Sequence, residues 1–376
     1  MAEPLRIRQL VKGLGPGGAE RLVVTQAIGA DPARHRHDVV HLLAHKDHLV
    51  PELTDAGIEV RCLDARRELD PRWVVRLRRD LVDDPVDVVH AHSPVVAAVA
   101  RSLIRTLPAR RRPAMVTTEH NRWPRHRRAT RWANRLTIGL DDATLAVSDD
   151  VRASMRGRDD IRTVVHGVDL AAVRAAADRP GVRDELGVAH DETLVVCVAN
   201  LRREKALDQL VAAAAIATEQ APGLRYALVG QGPLEAEIRD AVAERGLASS
   251  FAVLGYRDDA PRVMSGADVF TLSSRHEGLP VALMEALALG LPVAATAAGG
   301  VRAAAGDAGL IVSVDDPAAL AAAHVALAVD VARRDALAEA ATREAERFAA
   351  TRAIVEIEAI YDAVARANPL RASNQS

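Results

Sequence analysis

Two glutamates lie in an otherwise apolar part of the sequence, within residues 276–285 ("HEGLPVALME"). Pro280 favours a helix that begins beside it and Gly290 favours its end, so we predict Glu277 on a loop and Glu285 inside a short helix. In one continuous helix the two carboxylates would be about 12 Å apart, too far to share a proton or a metal ion. The spacing therefore predicts contacts with two different parts of an elongated ligand.

Basic residues follow a predicted strand well before these glutamates. In "ANLRREKALDQL", Arg202, Arg203 and Lys205 lie between the strand and an amphipathic helix. Cations at the carboxyl end of a parallel strand can neutralise a diphosphate through charge-assisted hydrogen bonds. A solvated helix start is the alternative for these residues. For the glutamates the alternative is an acidic loop residue and an exposed helix residue, which fits poorly because charge on an apolar helix is costly without a partner.

A glycine-rich turn follows the first predicted strand and opens the first helix. Gly13, Gly15 and Gly18 satisfy G-x-G-x-x-G, the fingerprint of a dinucleotide site, although such turns also hold other phosphates. An NAD site also needs an acidic residue at the end of the second strand, where His45 comes before Asp47. The match to NAD is therefore poor. An NAD-dependent oxidoreductase remains an alternative, as does a tight turn without a ligand.

The elements that must position these residues alternate short apolar runs with longer helical patterns, which is typical of βαβ units. The first half offers strands at "LRIRQLV", "DVVHLLA", "EVRCLD", "DVVHAH", "AMVTTEH" and "ATLAVS". After a break at Pro180 and Gly181 the rhythm restarts with "TLVVCVANL", "RYALVGQG", "FAVLGY", "DVFTLSS", "LPVAAT" and "GLIVSV". We predict an α/β protein of two Rossmann-like, doubly wound domains, residues 1–180 and 181–351, with ligands at the carboxyl ends of the strands and between the domains.

Composition narrows the class of protein. The 376 residues are 49% hydrophobic and 27% charged with net charge −2, which fits a soluble globular protein and gives no dominant field for nucleic acid. Cys62 and Cys197 lie in strand-like runs and are predicted to be buried, reduced thiols of a cytoplasmic protein. The N-terminus lacks the apolar segment of a secretory signal, and residues 281–301 are too interrupted to span a bilayer.

Taken together, these motifs resemble the retaining glycosyltransferases of the GT-B fold, family four, also called group 1. The resemblance extends from about Gly13 to Val364 and includes the E-x7-E stretch with Glu277 and Glu285 as its most specific part. The other stretches that carry it are "GPGGAERLV", "DVVHAHSP", "VTTEHN", "VVHGVDL", "ANLRREKALDQLVAAAA", "ALVGQGPL", "FAVLGY" and the pair Gly299 and Gly300.

The resemblance implies two domains that face each other across a cleft. It also implies that a helix at about 352–366 packs back on the first domain, and the tail 367–376 is predicted to be disordered. The reaction it implies is metal-independent hexosyl transfer with retention, from a UDP- or GDP-linked sugar to a hydroxyl of a glycan, a lipid-linked glycan or a glycosylated natural product, as in polysaccharide biosynthesis. No cofactor besides the nucleotide sugar is implied. A nucleotide-sugar epimerase of the same fold is an alternative.

Residue roles follow from the same resemblance. Glu277 would address the sugar hydroxyls, Glu285 the ribose and Lys205 the diphosphate, while His120 would face the transferred sugar. Where many members carry an arginine this chain has Asn200, and we assign the missing charge to Arg203, with Arg202 as the alternative. The predicted catalytic residues are His120, Glu277 and Lys205. The predicted donor-binding residues are Gly17, Gly18, Asn200, Arg202, Arg203, Lys205, Tyr256, Glu277, Gly278, Leu279, Pro280 and Glu285.

Two further patterns concern partners. His90 and His92 form a close pair without third and fourth ligands at zinc-site spacing, so no metal site is predicted. Residues 101–135 hold eleven arginines and one acidic residue, Glu119, together with Trp123 and Trp132. We hypothesise that Arg122 to Arg135 contact an anionic membrane or an acceptor phosphate, which would place the protein peripherally on the inner face of the cell membrane. The alternative is a solvated basic segment whose tryptophans pack inward.

Overall fold

The computed structural model describes residues 3–68, 70–155, 158 and 160–367. The chain divides into two compact units. The first consists of Met1–Gly167 and Ala350–Ser376, and the second of Val168–Ala349. Every strand pair in the described part of both units is parallel, so the prediction of two Rossmann-like domains is confirmed.

Among its described residues the first unit has a seven-stranded sheet in the order β3-β2-β1-β4-β5-β6-β7. The strands are β1 Leu5–Val11, β2 His35–Leu43, β3 Glu59–Ala65, β4 Val88–Ala91, β5 Ala114–Glu119, β6 Ala143–Ala146 and β7 Arg162–Thr163. The helices are α1 Gly18–Gly29, α2 Val50–Asp55, α3 Arg72–Asp83, α4 Pro94–Thr106, α5 Arg128–Thr137 and α6 Asp149–Ser154. Because strand order reverses between β1 and β4, a crevice is expected at the carboxyl ends of these two strands.

The second unit repeats this plan with a six-stranded sheet, again counted in the described residues, in the order β10-β9-β8-β11-β12-β13. Helices α7 Leu170–Ala175 and α8 Arg179–Leu186 precede the sheet. The strands are β8 Thr193–Val198, β9 Leu224–Val229, β10 Phe251–Gly255, β11 Val269–Leu272, β12 Val293–Thr296 and β13 Gly309–Val312. The remaining helices are α9 Leu207–Gln220, α10 Glu235–Glu244, α11 Ala260–Ser265, α12 Val281–Ala288, α13 Val301–Ala305, α14 Pro317–Val329 and α15 Val331–Ala345. Strand order reverses here between β8 and β11.

The last helix, α16 Ala350–Ala367, belongs to the first unit. Its apolar side chains, among them Ile357 and Ile360, pack with Ile7 of β1 and Val116 of β5 in one buried cluster. The opposite face of the sheet packs on α3 and α4 in a second cluster. The sheet is therefore covered on both faces, as parallel sheets require. Beyond Ala367 the predicted disordered tail lies outside the described residues.

Two expectations differ from the structure. The division between the units falls after Gly167 and not at Pro180. Pro180 lies in the first turn of α8, where Asp178 caps the helix by accepting a hydrogen bond from the Gly181 amide, because proline fits a first helical turn. Cys62 is exposed and not buried, since β3 is the edge strand of its sheet. Cys197 is buried as predicted, and both thiols are free.

The packing of α16 predicts the stability of the first unit. Ile357 is 1% exposed, so Ile357→Ala should lower the free energy of unfolding by about 2–5 kcal/mol through lost burial and a cavity. Val355, on the same helix, is 66% exposed, and Val355→Ala should change it by less than about 0.5 kcal/mol. Urea unfolding followed by tryptophan fluorescence measures this directly, because all three tryptophans lie in the first unit. Equal midpoints for the two variants would contradict this packing role.

Candidate functional site

The second unit brings together Lys205 and Glu277 at the carboxyl edge of its sheet. Strands β8 and β11 are hydrogen-bonded neighbours, and strand order reverses between them. Lys205 follows β8 and Glu277 follows β11, so both lie where ligands bind in doubly wound sheets. Lys205 Nζ lies 2.6 Å from Glu277 Oε1, and their side chains are 20% and 7% exposed. The two residues predicted separately from the sequence thus form one largely buried ion pair.

The loop after β11 donates hydrogen bonds to backbone carbonyls of the loop after β8. The Ser273 hydroxyl donates to the carbonyl of Lys205 at 2.9 Å, and the Arg275 amide donates to the carbonyl of Glu204 at 2.9 Å. The Ser274 hydroxyl donates to Glu277 Oε1 at 2.6 Å. Glu277 Oε1 therefore accepts from both a hydroxyl and an ammonium, and both loops hold the carboxylate in place.

The loop after β12 approaches the same carboxylate loop through two glycines. Gly299 has φ +55°, and a Cβ there would lie 2.0 Å from the carbonyl oxygen of Glu277. At Gly300 a Cβ would lie 2.4 Å from the carbonyl oxygen of Gly278. Since neither distance is possible for a side chain, the glycine pair allows this backbone approach.

Helix α12 begins directly after this loop. Pro280 occupies the capping position and gives no side-chain hydrogen bond, so the first amides of the helix lack a side-chain cap. Gly278 and Leu279 are half-buried in the loop before it, and Gly290, with φ +71°, follows the helix end. The predicted placement of Glu277 on the loop and Glu285 in the helix is confirmed.

The predicted donor residues Asn200, Arg202, Arg203 and Tyr256 lie at the same edge of the second sheet. Asn200 and Arg202 are in the loop after β8, and Arg203 opens the 3-10 turn Arg203–Lys205, with both arginines exposed. Tyr256 follows β10, two strands from β8, and is also exposed. Burial raises the pKa of the Cys197 thiol to about 12; the charge of Lys205 opposes this rise and that of Glu277 adds to it. Cys197 is therefore a neutral thiol at this site.

In the first unit, the half-buried His120 follows β5 and lies beside two buried histidines. Its Nε2 lies 3.3 Å from Nδ1 of His92, and its ring centroid is 5.7 Å from that of His166. Burial, with a smaller effect of His166, lowers the pKa of His120 to about 3. Burial also lowers the pKa of His166 to about 4. His120 is therefore a neutral imidazole at physiological pH.

The glycine-rich turn lies at the same edge of the first sheet, after β1. Gly17 is the residue before α1 and has no side chain to cap the helix, and Gly18 is its first residue. Glu20, in the first turn, places its carboxylate beside this turn, since a Cβ at Gly17 would lie 2.2 Å from Glu20 Oε2. His92, which follows β4, reaches the crevice from the neighbouring strand. The uncapped amides can hold an anion, as the fingerprint predicted, although the turn does not by itself distinguish a dinucleotide from another phosphate.

His90 and His92 are held by protein groups. His90 is bonded to Thr118 and Tyr361, and His92 to Gln9 and His120. In the described part of the chain, no group of three or more His, Cys, Asp or Glu side chains is arranged to hold a metal ion.

Several residues of the two sites carried no local signal in the sequence. Gln9 and Tyr361 are 352 positions apart and meet only because α16 returns to the first sheet. Nε2 of His166 is buried without a hydrogen-bond partner among the described residues. The two serines that directly follow β11 could have indicated a site role for Ser274. Gln9 lies within an ordinary strand pattern and gave no such signal.

The two tryptophans of the arginine-rich segment differ in solvent exposure. Trp123 is 5% exposed, whereas Trp132 and Leu136, one turn apart on α5, are 65% and 62% exposed. The alternative in which both tryptophans pack inward therefore holds for Trp123 and fails for Trp132. Beside Trp123 a cavity of about 490 Å³ is lined by Arg122, Arg131 and Arg135, of which Arg122 lies 3.4 Å from Asp150. Across the described residues, no helix combines the length and hydropathy that crossing a bilayer needs.

Two Rossmann-like units of this topology are typical of the GT-B fold. The chain is similar to the crystal structure of HepE from Anabaena in complex with UDP and glucose, with a TM-score of 0.82 and 20% identity. The match covers 96% of this chain and 100% of HepE. At this identity the similarity establishes the fold.

Family models define the group more closely. The model of Glycosyltransferase Family 4 matches residues 16–172, and that of Glycosyl transferases group 1 matches residues 192–330. EpsD of Bacillus subtilis, named as a glycosyltransferase, is 27% identical over 86% of this chain and 89% of its own length. LpsB of Rhizobium meliloti, named as a lipopolysaccharide core biosynthesis mannosyltransferase, is 28% identical over 64% of this chain and 70% of its own length. The chain belongs to the group 1, family four glycosyltransferases.

Family membership confirms the resemblance seen in the sequence. It leaves the oxidoreductase interpretation of Gly13, Gly15 and Gly18 without support, because both matched family models describe glycosyltransferases.

The buried histidines predict how stability depends on pH. Burial lowers the pKa of His37, His120 and His324 to about 3, whereas the unfolded value is near 6.5. Below pH 6.5 the unfolded chain binds protons that the folded chain does not, so stability should fall as pH decreases toward 4. Each such histidine contributes up to about 1.4 kcal/mol per pH unit. Thermal unfolding between pH 7.5 and 5 measures this slope.

A matched pair of variants separates this effect from other titrations. His324→Gln should reduce the pH slope, because Gln does not titrate, whereas His190→Gln at an exposed site should leave it unchanged. An unchanged slope in His324→Gln would contradict the prediction, because it would show that this histidine titrates alike in the folded and the unfolded chain.

Proposed function

We propose that this glycosyltransferase takes its sugar from a nucleoside diphosphate sugar and transfers it with retention at the anomeric carbon. The observation that carries the proposal is the Lys205–Glu277 pair, 2.6 Å apart, at the strand-order reversal of the second sheet. The UDP bound to HepE in that complex supports a nucleoside diphosphate as the carrier of the sugar. UDP- and GDP-linked sugars are therefore the first donors to test.

The diphosphate would bind at Lys205 and at the uncapped amides of α12. Both supply positive charge toward one place, the first as an ammonium and the second as helix N-terminal amides. Arg203 is exposed beside Lys205 and would add the charge that Asn200 lacks, with Arg202 as the alternative. These protein groups supply the positive charge, so the proposal includes neither a metal ion nor another cofactor.

The two glutamates would contact the two other parts of the donor. Glu277, held by Ser274 and Lys205, would accept hydrogen bonds from hydroxyls of the sugar. Glu285, one turn into α12, would accept from the ribose hydroxyls, and Tyr256 would lie near the base. Gly17 and Gly18 would present backbone amides to the diphosphate from the first unit, and His120 would contact the transferred sugar there.

Chemistry would proceed on one face of the sugar. The bond from the anomeric carbon to the diphosphate oxygen breaks, and a bond from the same carbon to the acceptor oxygen forms on that face. The acceptor proton passes to the departing phosphate oxygen, so atoms and charge balance without a covalent enzyme intermediate. Lys205 and the amides of α12 stabilise the negative charge that develops on the leaving group.

Binding and turnover of the donor test these roles. Lys205→Ala and Glu285→Ala should each weaken UDP binding about tenfold or more, since each removes a contact to the nucleotide. Glu277→Ala should leave UDP binding equal or tighter, because Lys205 loses its competing carboxylate, while turnover of the nucleotide sugar collapses. Calorimetry with UDP and GDP, together with slow hydrolysis of a nucleotide-sugar panel, measures both quantities.

An exposed ion pair near the C-terminal end of α12 provides the control. Glu346→Ala removes the contact of 2.9 Å with Arg174, whose side chain also donates to the carbonyl of Ala288, and it should change neither binding nor turnover. Wild-type turnover in both Lys205→Ala and Glu285→Ala would refute the site, and binding of NAD without binding of UDP or GDP would refute the donor class.

The acceptor side is proposed to meet an anionic membrane surface. Trp132 and Leu136 are exposed on α5 beside Arg131 and Arg135, a combination of apolar and cationic groups that suits the headgroup region. The protein would then work on the cytoplasmic side, in peripheral contact with the inner face of the membrane, on a glycan or lipid-linked acceptor. A soluble phosphorylated acceptor at the same arginines is the competing source of negative charge.

Flotation with liposomes tests the membrane contact. The protein should float with vesicles that contain anionic lipid and not with neutral vesicles, and replacing Trp132 and Leu136 with Ser should reduce flotation several-fold. Replacement of Val329 and Val331 with Ser in the second unit gives a control at two other exposed apolar side chains. Equal flotation of both variants, or no flotation with anionic vesicles, would contradict the proposed membrane contact.

A further inference from the structure

The hydroxyl of Tyr361, on α16, lies at the centre of a fully buried polar network in the first unit. Three side chains reach it: Nε2 of Gln9 at 3.2 Å, Nε2 of Gln26 at 2.6 Å and Nδ1 of His90 at 2.6 Å. A hydroxyl has one hydrogen to donate and two lone pairs to accept with. Since both amides donate, the tyrosine hydrogen goes to His90 Nδ1. The proton of His90 is then on Nε2, which donates to Thr118 at 2.7 Å.

Gln9 transmits this arrangement to the next histidine. Its amide nitrogen donates one hydrogen to Tyr361 and the other to Nδ1 of His37 at 3.0 Å. Its oxygen therefore faces His92, whose Nε2 lies 2.7 Å away and must carry the hydrogen. A neutral imidazole has one N–H, so Nδ1 of His92 is an acceptor.

His120 completes the series. Its Nε2 lies 3.3 Å from the acceptor Nδ1 of His92 and so carries the hydrogen. Nδ1 of His120 is then left as a lone-pair acceptor. Burial keeps the pKa values of His90 and His92 well below 6.5, and that of His120 at about 3, so each ring keeps a single proton at neutral pH.

The reverse arrangement is less favourable. If the Gln9 amide were turned over, its oxygen would face Tyr361 and His37 and its nitrogen would face His92. One amide hydrogen would then have no acceptor in a site where Gln9 and Tyr361 are fully buried. An unpaired buried donor costs free energy, so the arrangement with both amide hydrogens bonded is preferred.

We propose that Tyr361 is a positioning residue for His120. Through Gln9 and His92 it holds His120 as the Nε2–H tautomer, with Nδ1 available to accept a hydrogen bond from a hydroxyl of the transferred sugar. This inference rests on the proposed function only in taking His120 as the group that contacts the sugar. Its consequence is that this contact recognises a hydroxyl donor, because the ring presents a lone pair and not an N–H.

The tautomers can be read without substrate. In protein labelled with ¹⁵N-histidine, long-range ¹H–¹⁵N correlation spectra should show His90, His92 and His120 as Nε2–H tautomers, each assigned by a single His→Gln variant. Tyr361→Phe should turn these single patterns into mixtures and lower kcat about tenfold, with the donor KM within about twofold of wild type. Gln9→Leu breaks the series one step later, so His92 and His120 should become mixtures while His90 keeps its single tautomer.

The matched control is Tyr226→Phe in the second unit. It removes a buried hydroxyl that lies 3.1 Å from Nδ1 of His324, and it should change neither the three tautomers nor kcat. If Tyr361→Phe fails to fold, Gln9→Leu still tests the order of the series.

Three results would overturn the inference. They are a wild-type His120 with the hydrogen on Nδ1, unchanged tautomers in Tyr361→Phe or Gln9→Leu, and altered tautomers with unchanged kcat. A wild-type protein that binds no nucleotide sugar would instead refute the proposed function, while the tautomer spectra would still decide whether Tyr361 sets the state of His120.

Discussion

Every described strand pair in the two sheets is parallel, and the position of the functional groups depends on this constraint. Parallel strands end at a common edge, and a reversal of strand order leaves a crevice at that edge. In the second unit the reversal falls between β8 and β11, whose following loops carry Lys205 and Glu277. In the first it falls between β1 and β4, which lead to the glycine-rich turn and His92. Lys205 and Glu277, which are 72 positions apart in the sequence, thus become ion-pair partners.

Buried polar side chains are stabilised in different ways in the two units. In the second unit a cation is buried with a carboxylate, and removing one partner would leave an uncompensated charge. The pair therefore keeps Lys205 in place while no anion is bound. In the first unit burial keeps the histidines neutral, and hydrogen bonds fix which nitrogen carries each proton. The second unit therefore presents a buried ion pair at its sheet edge, and the first unit presents neutral imidazoles.

The sequence predicted what depends on local pattern and missed what depends on distant packing. Short apolar runs bounded by turns located each predicted strand, and Pro280 with Gly290 located the helix of Glu285. The same local logic misplaced the division at Pro180, because a proline marks a helix start as well as a break between domains. It also assumed that a strand cysteine is buried, although Cys62 is on an edge strand. Nothing in the pattern around Gln9 indicates that Tyr361 lies against it.

Helix α16 follows the second unit in the sequence but packs on the sheet of the first unit, so the first unit depends on residues near both ends of the chain. The cluster that joins Ile7 and Val116 to Ile357 and Ile360 needs residues that precede the second unit in the sequence and residues that follow it. Until α16 docks, one face of the first sheet exposes apolar surface, and Gln9 lacks the hydroxyl that orients its amide. Core packing and the hydrogen bonds that lead to His120 therefore depend on the same helix. A helix remote in sequence from the histidines is thus required for the sheet that carries them and for their orientation.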